Sequence, residues 1–127
     1  MEYPSSEKLI LVVDDELDVA ISIQLILETA HYNAEIYTDP AKALMEFKPN
    51  RYDLIFLDVR MPVMNGFQLY QELRKTDDNC KVCFITAFET YYNSLKEFFP
   101  DLDVDCFIQK PVTKDKLLEI VSRELNL

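Results

Sequence analysis

Along this chain, short unbroken apolar runs alternate with longer stretches in which apolar residues recur every three or four positions. The first pattern is that of strands buried on both faces, the second that of amphipathic helices. The run LILVV predicts a strand over residues 8–13, and Val19, Ile23, Ile26, Leu27 and Ala30 predict a helix over 16–30. A short extended segment (34–37) leads to a helix over 40–47, with Asp39 as N-cap and Pro40 at its first position, closed by Pro49 and Asn50. Residues 53–57 form the next apolar strand, ended by Asp58, and a proline-containing loop connects it to a helix over 66–75. A strand over 81–85 ends in Thr86. A helix over 90–99, carrying Tyr91, Leu95, Phe98 and Phe99, is stopped by Pro100. An acidic loop (101–105) precedes the last strand, 106–109, which ends at Lys110-Pro111. Thr113 then caps a final helix with Leu117, Leu118, Val121 and Leu125 on one stripe. Five strands alternating with five helices imply right-handed crossovers, hence an α/β doubly wound parallel sheet covered on both faces.

Length limits this architecture to one domain, since 127 residues support one substantial core. No apolar run approaches the ~18 residues of a membrane span, and MEYPSSEK lacks the basic start and apolar core of a signal peptide, so a cytoplasmic address is expected. Asp plus Glu outnumber Lys plus Arg by 23 to 13. That acidic field would repel a phosphate backbone, which argues against direct nucleic-acid binding and leaves basic protein surfaces or a divalent cation as the partners it favours. The C-x-x-C of Cys80 and Cys83 lacks nearby partners for zinc, because Cys106 and His31 are remote in sequence. The cysteines are therefore expected to be reduced, buried and apolar in role.

Chemistry gathers at one sheet edge. In an open α/β sheet the ligand site lies beyond the carboxyl ends of the strands. There stand Asp14 and Asp15 after the first strand, Asp58 after the third, Thr86 after the fourth and Lys110 after the fifth. Two carboxylates ~4 Å apart repel by ~4 kcal/mol at an effective dielectric near 20, so three need counter-charge beyond Lys110. With only oxygen ligands on offer, a hard ion such as Mg²⁺ fits, and Mg²⁺ held by few carboxylates leaves room for water and a phosphoryl oxygen. The competing reading of the acid pair is a simple cap for the following helix.

Together VVDDE (12–16), FLDVRMPVMNGF (56–67), FITA (84–87) and FIQKP (107–111) resemble the receiver domain of two-component response regulators, a resemblance that runs from about residue 7 to 126. It implies the flavodoxin-like strand order 2-1-3-4-5. It also implies Asp58 as phosphoacceptor, Mg²⁺ ligated by Asp15, Asp58 and the Arg60 carbonyl with Asp14 acting mainly through water, and Lys110 and the Thr86 hydroxyl on the phosphoryl oxygens. Phe107 occupies the family's aromatic switch position, and a cis Lys110–Pro111 peptide would aim the lysine inward. The implied partners are a sensor histidine kinase or histidine phosphotransfer protein on one side. On the other is a downstream protein, an output domain absent from this chain, or a second copy bound through the fourth helix, fifth strand and last helix. Catalysis would be limited to the chain's own phosphorylation and dephosphorylation.

Three features depart from the pattern. Arg60 is bulky for its place two residues past the acceptor, and the Thr86 to Lys110 interval is long. Tyr91, Tyr92, Phe98 and Phe99 make that interval aromatic. Gly66, the only glycine, reads as a backbone conformation needed where the loop enters the third helix. Leu17, Ile21 and Leu25 form a second stripe on the first helix. Packing against the last helix is its expected role, with docking of a kinase or phosphotransfer bundle as the alternative. Two other functions stay open: a pseudo-receiver that only binds proteins, and a small Mg²⁺-dependent phosphohydrolase using an aspartyl phosphate. The intact acid pair, acceptor, threonine and lysine oppose the first. The second would want an acid where Arg60 stands and a cap-sized insertion.

Overall fold

A computed structural model describes residues 8–87 and 106–125. Within them β1 (Leu9–Val13), β2 (Asn33–Tyr37), β3 (Leu54–Asp58), β4 (Val82–Thr86) and β5 (Phe107–Gln109) form one sheet in the order β2-β1-β3-β4-β5. Every pairing is parallel. The helices are α1 (Leu17–Thr29), α2 (Pro40–Glu46), α3 (Gly66–Thr76) and α4 (Lys114–Glu124), the last being the final helix of the sequence pattern. The helix expected over 90–99, with Tyr91, Tyr92, Phe98 and Phe99, and the acidic loop lie outside the described residues. No helix among the described residues is long and apolar enough to cross a membrane.

The unbroken apolar runs are explained by a core on each face of the sheet. β1, β3 and β4 are buried along their whole length. Alternate residues point to opposite sides. Leu11, Val13, Ile55, Leu57 and Phe84 join Leu69, Tyr70 and Leu73 of α3 in one cluster. Ile10, Val12, Leu54, Phe56 and Ile85 join Ile23 and Leu27 of α1 and Leu117, Ile120 and Val121 of α4 in the other. Helix starts follow the local chemistry. Asp39 caps α2 by accepting from Ala41 N, and Asn65 with Gln68 closes a capping box on α3. Thr113 accepts from Lys116 N at α4. His31, at φ 67, takes the left-handed position that ends α1.

Several expectations change. Asp53 falls outside β3 because its carboxylate accepts from Leu9 N at 2.9 Å, tying the start of β3 to β1. Gly66 needs no left-handed φ. Its role is close approach: a Cβ there would meet the Asp58 carbonyl carbon at 3.0 Å. Leu17, Ile21 and Leu25 are not buried by the last helix and stay 54%, 38% and 57% exposed. Ala20, Ile23 and Leu27 make the buried face of α1 instead. The cysteines also differ, since Cys83 and Cys106 are joined as a disulfide. The register Phe84↔Phe107 sets these two residues side by side just before β5, a neighbourhood that their separation of 23 residues hides. Cys80 remains a free thiol on the opposite face, as an odd offset along an extended segment requires.

Candidate functional site

Register delivers the polar strand ends to one place. Val13 pairs with Leu57, so Asp14 emerges beside Asp58. Asp58 pairs with Ile85, one residue before Thr86, and Thr86 pairs with Gln109, one residue before Lys110. Backbone hydrogen bonds continue the sheet to this rim: Asp14 N donates to Tyr37 O at 3.0 Å, Val59 N to Ile85 O at 2.9 Å, and Lys110 N to Thr86 O at 2.8 Å. Neither Asp14 nor Asp15 is the N-cap of α1. That position belongs to Glu16, whose own N–H donates to Asp14 Oδ1 at 2.9 Å.

Lys110 organises the acids. Its Nζ lies 3.1 Å from Asp14 Oδ2, 3.6 Å from Asp58 Oδ2 and 2.8 Å from Glu16 Oε1. Asp14 is fully buried and Asp58 nearly so, whereas Asp15 and Glu16 face solvent. Burial and then the charge of Asp14 push the Asp58 carboxyl up to about 8, against the pull of Lys110. Burial works to lower the Lys110 pKa, but the hydrogen bond to Glu16 and the charges of Asp14 and Asp58 outweigh it and raise it. The same Lys110 hydrogen bond lowers the pKa of the solvent-exposed Glu16. Glu16 as a lysine partner escaped the sequence reading, although a third acid directly after the pair was a visible signal.

One atom shows what the protein's own groups leave undone. Asp14 Oδ2 is buried and, among the described residues, lacks a hydrogen-bond partner, because the lysine ammonium is near it without being aligned on it. Carboxylate oxygens of Asp14, Asp15, Glu16 and Asp58 all come within 4.8 Å of one another. An all-oxygen, net-acidic cluster with an orphaned carboxylate oxygen fits a hard divalent cation.

The remaining predicted residues ring this cluster. Thr86 is buried at the end of β4. Arg60 N lies 3.4 Å from Asp58 Oδ1, and its exposed residue lines a groove with Met61, Pro62, Asn65 and Phe67. Phe107 is half-buried, its ring centroid 5.5 Å from that of Phe84, which in turn stacks edgewise on Phe67 at 4.6 Å. The Lys110–Pro111 peptide is cis, as expected. In the loop after Asp58, Met64 N donates to Pro62 O at 2.7 Å across Val63, which takes φ 70 and is fully exposed. The proline-containing loop and Gly66 marked a turn here, but no sequence signal marked Val63 as its centre.

Comparison with known proteins agrees with this geometry. A model of the response regulator receiver domain matches residues 10–122. The transcriptional regulatory protein RprY of Bacteroides fragilis is 34% identical over 112 residues, covering 87% of this chain and 47% of that protein. Regulatory protein VanRB of Enterococcus faecalis is 31% identical over 117 residues, covering 92% and 52%. The chain thus spans about half the length of the curated relatives it matches. Among solved structures, the non-phosphorylated HemR receiver domain of Leptospira biflexa superposes with a TM-score of 0.82 at 29% identity, covering 94% of this chain and 95% of that one. The Thermotoga maritima response regulator TrrA, in complex with Mg²⁺ and BeF, gives a TM-score of 0.78 at 29% identity, covering 93% and 99%.

Proposed function

Because the chain belongs to the response regulator receiver domain family of two-component systems, we propose that it takes a phosphoryl group onto Asp58 and changes its affinity for partner proteins. The donor is a phosphohistidine on a histidine kinase or a histidine phosphotransfer protein. The observation that carries this reading is the placement of Lys110 Nζ between Asp14 and Asp58, beside an orphaned Asp14 oxygen.

Asp14, Asp15 and Asp58 supply the carboxylates that would hold Mg²⁺, with the Arg60 carbonyl as a further oxygen ligand. When bound, the ion offsets charge on the acids and on the incoming phosphoryl oxygens. The chain's own groups do the rest. An Asp58 carboxylate oxygen forms the new P–O bond as the P–N bond to the donor imidazole breaks, and the imidazole leaves with the bonding pair. Lys110 is placed to move from its carboxylate partners to a phosphoryl oxygen. The Thr86 hydroxyl then turns to a second phosphoryl oxygen, and the space this frees lets Phe107 repack against Phe84. Hydrolysis of the acyl phosphate resets the module, and Arg60 at the mouth of the site sets how readily water enters.

The exposed apolar stripe of Leu17, Ile21 and Leu25 supports docking of the phosphohistidine protein on α1, which begins directly after the acid cluster. The surface that changes affinity includes β5 and α4, and it serves a downstream protein, an output domain beyond this chain or a second copy. Transfer from a purified phosphohistidine phosphotransfer protein tests the reading: label should pass to the wild type with Mg²⁺, and EDTA or Asp58→Asn should abolish it. Equal labelling of Asp58→Asn would overturn the assignment.

A further inference from the structure

Cys83 and Cys106 have no part in phosphoryl transfer, yet both lie buried in the core under α4 and are bonded to one another. Their Cα atoms are 4.5 Å apart, within the reach of a disulfide, and the parallel register of β4 and β5 holds them there. A second feature bears on reactivity. The Arg123 guanidinium of α4 donates to Cys106 Sγ at 3.8 Å while also pairing with Glu124 at 3.4 Å. A cation beside a thiol favours the thiolate, the form that attacks oxidants. Arg123 is exposed and β5 is the outermost strand, so Cys106 sits just beneath the surface.

We propose that Cys83 and Cys106 form a reversible dithiol/disulfide site, oxidised by a peroxide and reset by a dithiol reductant. The Cys106 thiolate attacks one peroxide oxygen and the O–O bond breaks, giving a sulfenic acid and a hydroxide that takes the thiol's proton as water. The Cys83 sulfur then attacks the sulfenic sulfur, closing the S–S bond and releasing a second water. In sum two thiols lose two electrons and two protons, and one peroxide becomes two waters. A dithiol returns the electrons by exchange. Cys80 does not take part, because it faces the other side of the sheet. The cross-link fastens the short edge strand β5 to β4 immediately before Phe107 and three residues before Thr86, so redox state acts on the two strands that carry those residues.

The site is read without any phosphodonor, so its test is separate from that of the proposed function. In a Cys80→Ala chain treated with hydrogen peroxide, unfolded and exposed to N-ethylmaleimide, intact mass should show no added groups; after dithiothreitol it should show two. Two groups in both samples would overturn the proposal, as would peptide mapping of the wild type that links Cys80 to either partner. Should the substitution weaken folding, the wild type supplies a second reading. Its Tm in the oxidised form should exceed that with dithiothreitol by about 5 °C or more, reversibly, as closing this loop predicts. An unchanged Tm would count against the cross-link. Arg123→Gln should slow disulfide formation by about threefold or more, and an unchanged rate would overturn the assignment of Cys106 as the attacking thiolate.

Discussion

Gly66 stands against the backbone of Asp58, close enough that a Cβ at residue 66 would lie 3.0 Å from the Asp58 carbonyl carbon and nearer still to its oxygen. Gly66 N also donates to Val59 O at 3.0 Å, so the start of α3 is fastened to the end of β3. The contact is with backbone, which cannot swing aside. Gly66→Ala is therefore expected to destabilise the fold by about 2 kcal/mol, in the range of overpacked sites, and to displace Asp58. Urea denaturation should show the loss. Acetyl phosphate labelling of the surviving folded protein should be slowed at least tenfold.

Val63 gives the opposite expectation. A β-branched residue at φ 70 with a fully exposed side chain carries strain and no packing in return. Val63→Gly should raise stability by about 0.5–1 kcal/mol, read as a shift in urea midpoint with unchanged m-value. A lower midpoint would mean that the loop draws stability from the valine.

Crowding of Asp14, Glu16 and Asp58 around Lys110, with Asp15 in the same carboxylate cluster, predicts a dependence on divalent cations. Mg²⁺ at ten times its Kd should add about 1.4 kcal/mol to the stability of the wild type, and EDTA should remove it. Asp58→Asn, which deletes one of the crowded charges, should raise Tm in EDTA and shrink the Mg²⁺ response. Calorimetric scans with and without the ion check both. A cation response identical in the two proteins would detach Asp58 from the cluster.

Ile21 lies in the exposed stripe of α1. Ile21→Glu should leave stability within about 0.5 kcal/mol, as surface changes do, while slowing transfer from a phosphohistidine protein about tenfold or more. Labelling by acetyl phosphate, which needs no docking helix, should be unaffected. A fall in both rates would place the defect in the site rather than on the docking face.

The strands and the acidic rim were legible because each is local. LILVV, the LIFLD of β3 and the VCFIT of β4 are unbroken apolar runs that end in, or just before, an acid or a threonine, and parallel pairing brings such ends together. What escaped depends on register or on close contact. The neighbourhood of Cys83 and Cys106 follows from how β4 lies against β5, and C-x-x-C drew attention to the wrong pair. For Gly66 a turn glycine was legible, but its steric reason is a backbone atom of Asp58. The stripe on α1 could not be assigned from periodicity alone, since a buried and an exposed apolar face share the same spacing.

The central claim is that Asp58 accepts a phosphoryl group with the help of Lys110 and a divalent cation. Intact mass after incubation with acetyl phosphate and Mg²⁺ tests it most directly, with Asp58→Asn and an EDTA sample alongside. One added phosphoryl group, about 80 Da, in the wild type with Mg²⁺ and in neither control is the predicted result. A folded wild type that gains no mass, turns over no donor and binds no beryllofluoride would contradict the claim and leave a domain that acts through protein binding alone.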